Sequence, residues 1–416
     1  MKVYYLTPDE QGNVNWPRLD PKVSSVVTLG TFDGVHRGHQ AVLKRVVELA
    51  KSYNSRSVAI VFDRRPGFLL SWIAQHGEEP AASEPDSQQL STVDQRLKYI
   101  AETGIDIAIV VHFTQAFSQI SYSAFLGQLI SQRVENSRQP VHTLGMTRLV
   151  LGQDANFGRD RGGNVKSVQR LSEAFRMFDL EVVDYKGPGF IHVPAGVVDG
   201  KPVEKKVRVW SSTAVRNCLE QMKVSQAMEI LGHPHAVDGT VVHGEARGRT
   251  LGFPTANFAP DYEGLLPADG VYSGWLIDYG PADSLPAPAS VAALSATPGS
   301  VTKGEIISTQ PAEVARWTAA ISVGTNPTFG PHARVLEVFA VENDWLDLYG
   351  HRVRVEFADT TGQMVKAETL DNLTELISQE VRDSQKQCDG GWTDSITGDH
   401  IQGTVVDWAG PVIRES

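Results

Sequence analysis

Apolar residues follow two rhythms along this chain. From the first residue to about 185, short β-branched runs alternate with stretches at helical spacing. The runs at 25–29, 57–62, 105–111 and 148–151 read as strands, and 41–50, 92–103 and 123–131 read as amphipathic helices. This alternation predicts a parallel sheet with helices on both faces. Within it, 77–89 is rich in Glu, Pro, Ala and Ser and reads as an exposed loop. The Gly, Pro and Val-rich stretch at 186–202 reads as turns. One long helix is expected over 212–230, ending at Gly232.

After Pro234 the rhythm shortens. Alternating segments at 239–242, 271–277, 320–323, 335–341 and 352–357 are punctuated by Gly and Pro, as in an antiparallel β-barrel. A closing helix is expected at 370–387. The stretch 281–310, rich in Ala, Ser and Pro, reads as a loop insertion between strands. Three segments follow: 1–232, 233–387 and an unassigned tail, 388–416.

Composition narrows the function. The chain has 416 residues and a formal net charge of −11, which speaks against non-specific nucleic-acid binding but allows a local phosphate site. Its two cysteines, Cys218 and Cys388, form neither a disulfide framework nor a metal cluster. No signal peptide and no apolar run of membrane-spanning length is read, so a cytoplasmic location with small-molecule partners is expected. Oligomeric state is left open.

The first chemical signal lies at 26–40. A β-branched run stops at Gly30, and a turn containing Phe32 and Asp33 leads into His36-Arg37-Gly38-His39 at a helix start. Backbone N–H groups and the helix dipole favour a phosphate there. The string His36-x-Gly38-His39 resembles the HxGH signature of nucleotidylyltransferases. The longer string, Gly30-Thr-Phe-Asp-Gly-Val-His-Arg-Gly-His-Gln40, resembles the bacterial FAD synthetases, the bifunctional riboflavin kinase/FMN adenylyltransferases. Two further segments are similar to that family. One is Trp210-Ser211-Ser212-Thr213-Ala214-Val215-Arg216, a helix start with an arginine one turn in. The other is Gly152-Gln153-Asp154-Ala155-Asn156-Phe157-Gly158. Two departures stand out. Ala155 replaces an aromatic residue, and Phe62-Asp63-Arg64-Arg65-Pro66 replaces Phe-x-Pro-His-Pro. The arginines could still bind phosphate but cannot titrate near neutrality.

The second signal is Gly239 to Asn257, which includes Gly244, Gly248, Arg249, Gly252, Pro254, Thr255 and Asn257. It resembles the flavokinase signature of the same family. The glycines would let backbone amides wrap phosphates, and Thr255 and Asn257 carry oxygens suited to Mg²⁺. Two residues apart on an extended segment, they face the same way. Glu337, in Arg334-Val-Leu-Glu-Val-Phe339, matches the family's strand glutamate.

The resemblance implies an α/β fold: a Rossmann-like nucleotidylyltransferase domain followed by an antiparallel barrel with a closing helix. It implies that riboflavin is phosphorylated to FMN by ATP with Mg²⁺, and that FMN is then adenylylated to FAD. Glu337, His36, His39 and Arg216 are the implied catalytic residues. Gly30, Phe32, Asp33, Gly38, Asp154, Phe157, Ser212 and Thr213 are the implied binding residues of the first site. Gly244, Gly248, Arg249, Gly252, Pro254, Thr255 and Asn257 are those of the second. The departures at 64–65 and 155 keep a second reading open, a riboflavin kinase whose first domain has lost or changed its activity. A non-catalytic flavin or nucleotide binder is a third reading, and it would be expected to lack Glu337, Thr255 or Asn257.

Overall fold

The computed structural model describes residues 1–17, 19–81, 84–130, 144–183, 190–198, 201–208, 210–244, 253–285, 301–304, 313–325, 334–341, 347–363, 370–394 and 398–402. The chain divides into two compact units. The first is Met1–Asp86, Thr92–Pro188 and Ala287–Gln310; the second is Ser87–Ser91, Gly189–Pro286 and Pro311–Ser416. By this division the hairpin and the two helices before residue 232 fall in the second unit.

The first unit contains strands β1 (Lys2–Leu6), β2 (Ser25–Gly30), β3 (Arg56–Phe62), β4 (Ile107–Val111), β5 (Met146–Gly152), β6 (Asn156–Phe157), β7 (Gly163–Asn164) and β8 (Asp179–Val183). Its helices are α1 (Arg37–Ser52), α2 (Pro66–His76), α3 (Val93–Glu102), α4 (Gln115–Ser118), α5 (Tyr122–Leu129) and α6 (Val165–Phe175). The sheet runs β1-β4-β3-β2-β5-β8, all parallel. Alternate residues feed opposite faces. Val27, Val58, Ile60 and Ile109 join one core with Phe125 and Val168, while Val26, Ala59, Val61 and Val110 join the other with Val46 and Leu97. The chain steps outward from β2 to β3 to β4, then returns to β5 on the other side of β2. The crevice at the carboxyl ends of β2 and β5 is thus the topological switch point, where open α/β sheets bind ligands.

Three sequence readings need correction here. Helix α1 begins at Arg37, not 41, because His36 caps it: its Nδ1 accepts the His39 N–H at 3.3 Å. The 281–310 stretch is not all loop. Val301–Gly304 forms strand β14, which pairs antiparallel with β1 and extends the edge of the first sheet. The edge strands β1 and β8 were not read from the sequence.

The second unit contains β9 (Phe190–Val198), β10 (Lys201–Arg208), β11 (His235–Val242), β12 (Ala256–Phe258), β13 (Gly270–Pro281), β15 (Ala315–Thr325), β16 (Arg334–Ala340) and β17 (His351–Gly362). It also contains α7 (Ser212–Glu220), α8 (Val224–Leu231), α9 (Leu370–Cys388) and a terminal pair, β18 (Trp392–Thr393) and β19 (His400–Ile401). The barrel closes in the order β11-β12-β16-β15-β13-β17. Its interior is filled by Trp317, Leu276, Val355, Phe357 and their neighbours. The closing helix is present. Trp275 Nε1 donates to the Cys388 carbonyl at 3.2 Å, and Ser273 Oγ donates to Gln387 at 2.5 Å.

The region at 186–202, expected as turns, carries most of a hairpin, β9–β10. Pro194 and Gly196 interrupt the strand pattern, and Ala195 between them is the extra residue of a bulge opposite Val203 and Glu204. The expected helix at 212–230 is two helices. Met222 adopts φ 61°, and the Lys223 N–H turns back to the Cys218 carbonyl at 2.8 Å. This break lets Val215 and Leu219 of α7 and Val224 and Leu231 of α8 all enter one core.

Candidate active sites

The first site is built on the turn after β2. Phe32, Gly34 and Val35 all have positive φ, at 52°, 78° and 35°. A bulky and a β-branched residue there store backbone strain of about 1–3 kcal/mol each, a sign of a functional turn. The turn is closed by the Val35 N–H on the Phe32 carbonyl at 2.9 Å. It delivers His36 to the N-cap of α1 and His39 to its first turn. The two imidazoles stack with centroids 3.7 Å apart, and Phe32 packs edge-on against His39 at 5.2 Å. Because His36 Nδ1 accepts from the helix backbone, its Nε2 carries the proton when the ring is neutral. His39 Nδ1 is enclosed with no hydrogen-bond partner among the described residues. Burial, reinforced by the charge of Arg96, pushes the His39 pKa down to about 3. An imidazole pair at a helix N-terminus, with His39 held neutral, presents N–H donors to an anionic ligand.

The second element of this site follows β5, across the switch point. Asp154 is exposed, with its carbonyl held by Asn156 Nδ2 at 2.7 Å. Phe157 is buried in the core against Phe125. Gly158, at φ 72°, lies so close to α5 that a Cβ would meet the Tyr122 nitrogen at 2.6 Å. The motif therefore has a strong packing component as well as any ligand contact. Ser212, Thr213 and Arg216 lie on α7 of the second unit. Ser211 caps that helix, its Oγ accepting the Ala214 N–H at 3.1 Å. Arg216 Nε donates to the Gln88 carbonyl at 2.7 Å.

The departing arginines are engaged. Arg65 grips Asp86 through Nε and Nη2, both at 2.5 Å, and Arg64 Nη2 donates to the Ala81 carbonyl at 3.0 Å. They hold the segment following α2, so the expectation that they offer themselves to phosphate is not supported by their geometry. Sequence reasoning missed the neighbouring residue, His112, at the end of β4. Its Nδ1 lies 2.6 Å from Asp63, whose other oxygen accepts the Phe113 and Arg64 amides at 2.9 and 2.6 Å. Burial opposes the Asp63 charge, but the His112 hydrogen bond and charge and the Phe113 amide hold its pKa below the ordinary carboxylate value. The register of β3 and β4, which puts Phe62 beside Val111, is the signal that pairs 63 with 112; it cannot be read before the strand order is known.

The second site lies on the outer face of the barrel. Leu336, Val338 and Ala340 enter the interior, so Glu337 and Phe339 face outward. Glu337 pairs across the ladder with Asn257 on one side and Ser322 on the other. Cross-strand partners share a face, so Asn257, Glu337 and Ser322 form one stripe. Asn257 Nδ2 lies 3.2 Å from the Thr255 carbonyl and 3.4 Å from its Oγ1. The two side chains are in contact, and each carries a hard oxygen, Asn257 Oδ1 and Thr255 Oγ1, of the kind suited to Mg²⁺. Gly244 backs onto this pair: a Cβ there would sit 2.5 Å from the Asn257 amide. Pro254 is described next to Phe253, which packs edge-on against Phe339 at 5.5 Å. Gly248, Arg249 and Gly252 lie outside the described residues.

Two family models match the chain. A family described as FAD synthetase matches residues 20–189, and one described as riboflavin kinase matches 231–388. A bifunctional riboflavin kinase/FMN adenylyltransferase of Listeria monocytogenes is 30% identical over 278 residues, covering 66% of this chain and 73% of that protein. One from Escherichia coli K12 is 28% identical over 80% of this chain and 83% of its own. A crystal structure described as a macrolide-efflux protein from Streptococcus pneumoniae shares the fold, with TM-score 0.62 at 22% identity over 91% of this chain and 98% of that one. No described helix is long and apolar enough to cross a membrane. With both family models matched and a relative 30% identical over 73% of its length, the chain belongs to the bifunctional riboflavin kinase/FMN adenylyltransferase family.

Proposed function

We propose that the two activities are carried by the two clusters described above. On the barrel, the terminal hydroxyl of riboflavin attacks the γ-phosphorus of ATP, Glu337 accepts its proton, and ADP leaves. Thr255 and Asn257 would hold Mg²⁺, which supplies charge neutralisation on the transferred phosphoryl group. Glu337 lies beside them through the β12–β16 pairing, and this register is the observation that carries the reading. The pairing supports a base beside the residues that would hold the metal.

In the first unit, a phosphate oxygen of FMN attacks the α-phosphorus of a second ATP and pyrophosphate leaves. No proton need move, so the protein's task is to position the two anions and stabilise the charge that builds between them. The stacked His36 and His39 pair at the start of α1 supports this role. For Gly30, Phe32, Asp33 and Gly38 the support is their place in or beside the strained turn. For Ser212, Thr213, Arg216, Asp154 and Phe157 it is the motif resemblance. The alternative of a kinase with a degenerate first domain is disfavoured by the intact turn and by the match to FAD synthetase.

The test is a chromatographic time course with riboflavin, ATP and Mg²⁺. The expected result is FMN followed by FAD. Glu337→Gln should stop riboflavin phosphorylation while still converting supplied FMN to FAD, and His39→Ala should do the reverse. If both activities respond to one substitution, the residue assignment fails.

A further inference from the structure

Arg96 lies one turn into α3 and is completely buried. A capping box fixes the start of that helix: the Thr92 Oγ1 accepts the Gln95 N–H at 3.1 Å, and the Gln95 side chain accepts the Thr92 N–H at 3.0 Å. From there the guanidinium reaches under the first site. Nη1 donates to the Thr31 carbonyl at 2.9 Å and the Phe62 carbonyl at 2.8 Å, and Nη2 donates to the Asp63 carbonyl at 2.7 Å. Nε donates to the Thr92 carbonyl at 3.3 Å. Thr31 opens the strained turn that carries His36, while Phe62 and Asp63 end the adjacent strand. One side chain therefore ties together the carboxyl ends of β2 and β3, where the sheet ladder stops supplying partners.

We propose that Arg96 is the positioning residue of the adenylyl-transfer site, holding the β2 turn and the end of β3 at fixed separation so that the His36–His39 pair is pre-organised. The inference rests on the assignment of FMN adenylylation to this unit. Only a guanidinium does this work, because its planar fork aims several donors in fixed directions, whereas an ammonium is a point charge on a flexible stem. Burial works against the Arg96 charge, and Asp33, Asp63, Asp86 and Asp94 offset it from around the site. The same charge reaches His39 and disfavours its protonation. Arg96 thus fixes the geometry of the pair and adds to the burial that keeps His39 neutral, without touching substrate.

The test uses the full chain and Arg96→Lys, with both activities measured on each sample. Lysine keeps the charge and loses the fork. The kcat of FMN adenylylation should fall at least tenfold, with KM for ATP changed less than threefold and riboflavin phosphorylation unchanged. Adenylylation within twofold of the unaltered protein would overturn the proposal. A chain that makes no FAD before any substitution would instead refute the activity assigned to this unit.

A second measurement needs no variant and decides the matter if Arg96→Lys does not fold. Titration of the His39 ring signals by NMR should leave it neutral down to pH 5, enclosed against Phe32 and His36 and within reach of the Arg96 charge. A His39 midpoint near the ordinary value of about 6.5 would show that the ring is not enclosed against the site that Arg96 is proposed to hold together, and the proposal falls.

Discussion

Replacing Gly244 by alanine should disable one activity and leave the other intact, with little loss of stability. Gly244 has no left-handed φ, so alanine fits the backbone, and its smaller unfolded-state entropy favours folding by about 0.4–1 kcal/mol. The new Cβ would lie 2.5 Å from the Asn257 amide, where ordinary contact begins at 3.4 Å. The amide must therefore move by roughly 0.9 Å. It is the end of a short side chain, so it swings rather than forcing the barrel apart. Its cost to folding is the hydrogen bonding to Thr255, about 1 kcal/mol, which nearly cancels the entropic gain. The cost to catalysis is larger, because Asn257 and Thr255 form the oxygen pair beside Glu337. A displacement of about 1 Å in such a constellation lowers the rate on the order of 100-fold, equivalent to about 2.7 kcal/mol. Steady-state phosphorylation of riboflavin should fall by that factor, while FMN adenylylation stays within twofold and the urea midpoint is nearly unchanged. Phosphorylation within threefold of the unaltered protein would refute the placement of the metal and phosphate site at this pair.

Three other outcomes follow from the same geometry. Arg354 is buried and binds Asp238 at 2.6 and 2.8 Å; Arg354→Met strands that carboxylate, and denaturant titration should show a loss of about 3–5 kcal/mol in the barrel, so a loss below 1 kcal/mol would contradict the pairing. His235 is buried against the Leu265 carbonyl, and burial, only partly opposed by that bond, lowers its pKa to about 4. The unfolded chain therefore binds the extra proton between about pH 6.5 and 4, and barrel stability, complete above 6.5, should fall by about 1.4 kcal/mol per pH unit as pH drops through that window; His235→Gln should flatten this slope in urea melts at pH 7 and 5. Arg65 is held by Asp86, so Arg65→Met should change KM for ATP in FMN adenylylation less than threefold, and a tenfold rise would return this arginine to the phosphate site.

What could be read before folding was whatever the chain states locally. The β-branched runs of β2, β3 and β4 are buried on both faces and are legible as apolar strings. The glycine-punctuated turn before His36 and the pairing of Thr255 with Asn257 are legible because each needs only a few consecutive residues. The edge strands were illegible for the opposite reason. β8 is half exposed, so its five residues alternate weakly, and β14 is four residues inside a stretch with no strand pattern around it. The break between α7 and α8 contains neither Gly nor Pro; Met222 takes a left-handed conformation because both flanking helices gain core contacts from it, which is a tertiary cause.

The same distinction explains the arginines at 64 and 65. Read as a string, they stand where the family has Pro and His, and a phosphate ligand is the natural guess for two cations beside a nucleotide motif. Their partners, Ala81 and Asp86, lie 17 and 21 residues downstream in a segment of low apolar content, and nothing local announces that pairing. A bidentate arginine–carboxylate pair with Asp86 almost fully enclosed is specific and geometrically demanding. Its effect is to anchor the acidic segment after α2 to the end of β3, immediately beside Asp63 and His112. Arg96 then holds Asp63 from beneath, and Asp63 holds His112. The carboxyl end of β3 is thus held by Arg65, Arg96 and the Asp63–His112 pair through contacts within the protein. The arginines at the end of β3 therefore read as a structural frame beside the β2 turn, which is why their cationic character in the string misleads.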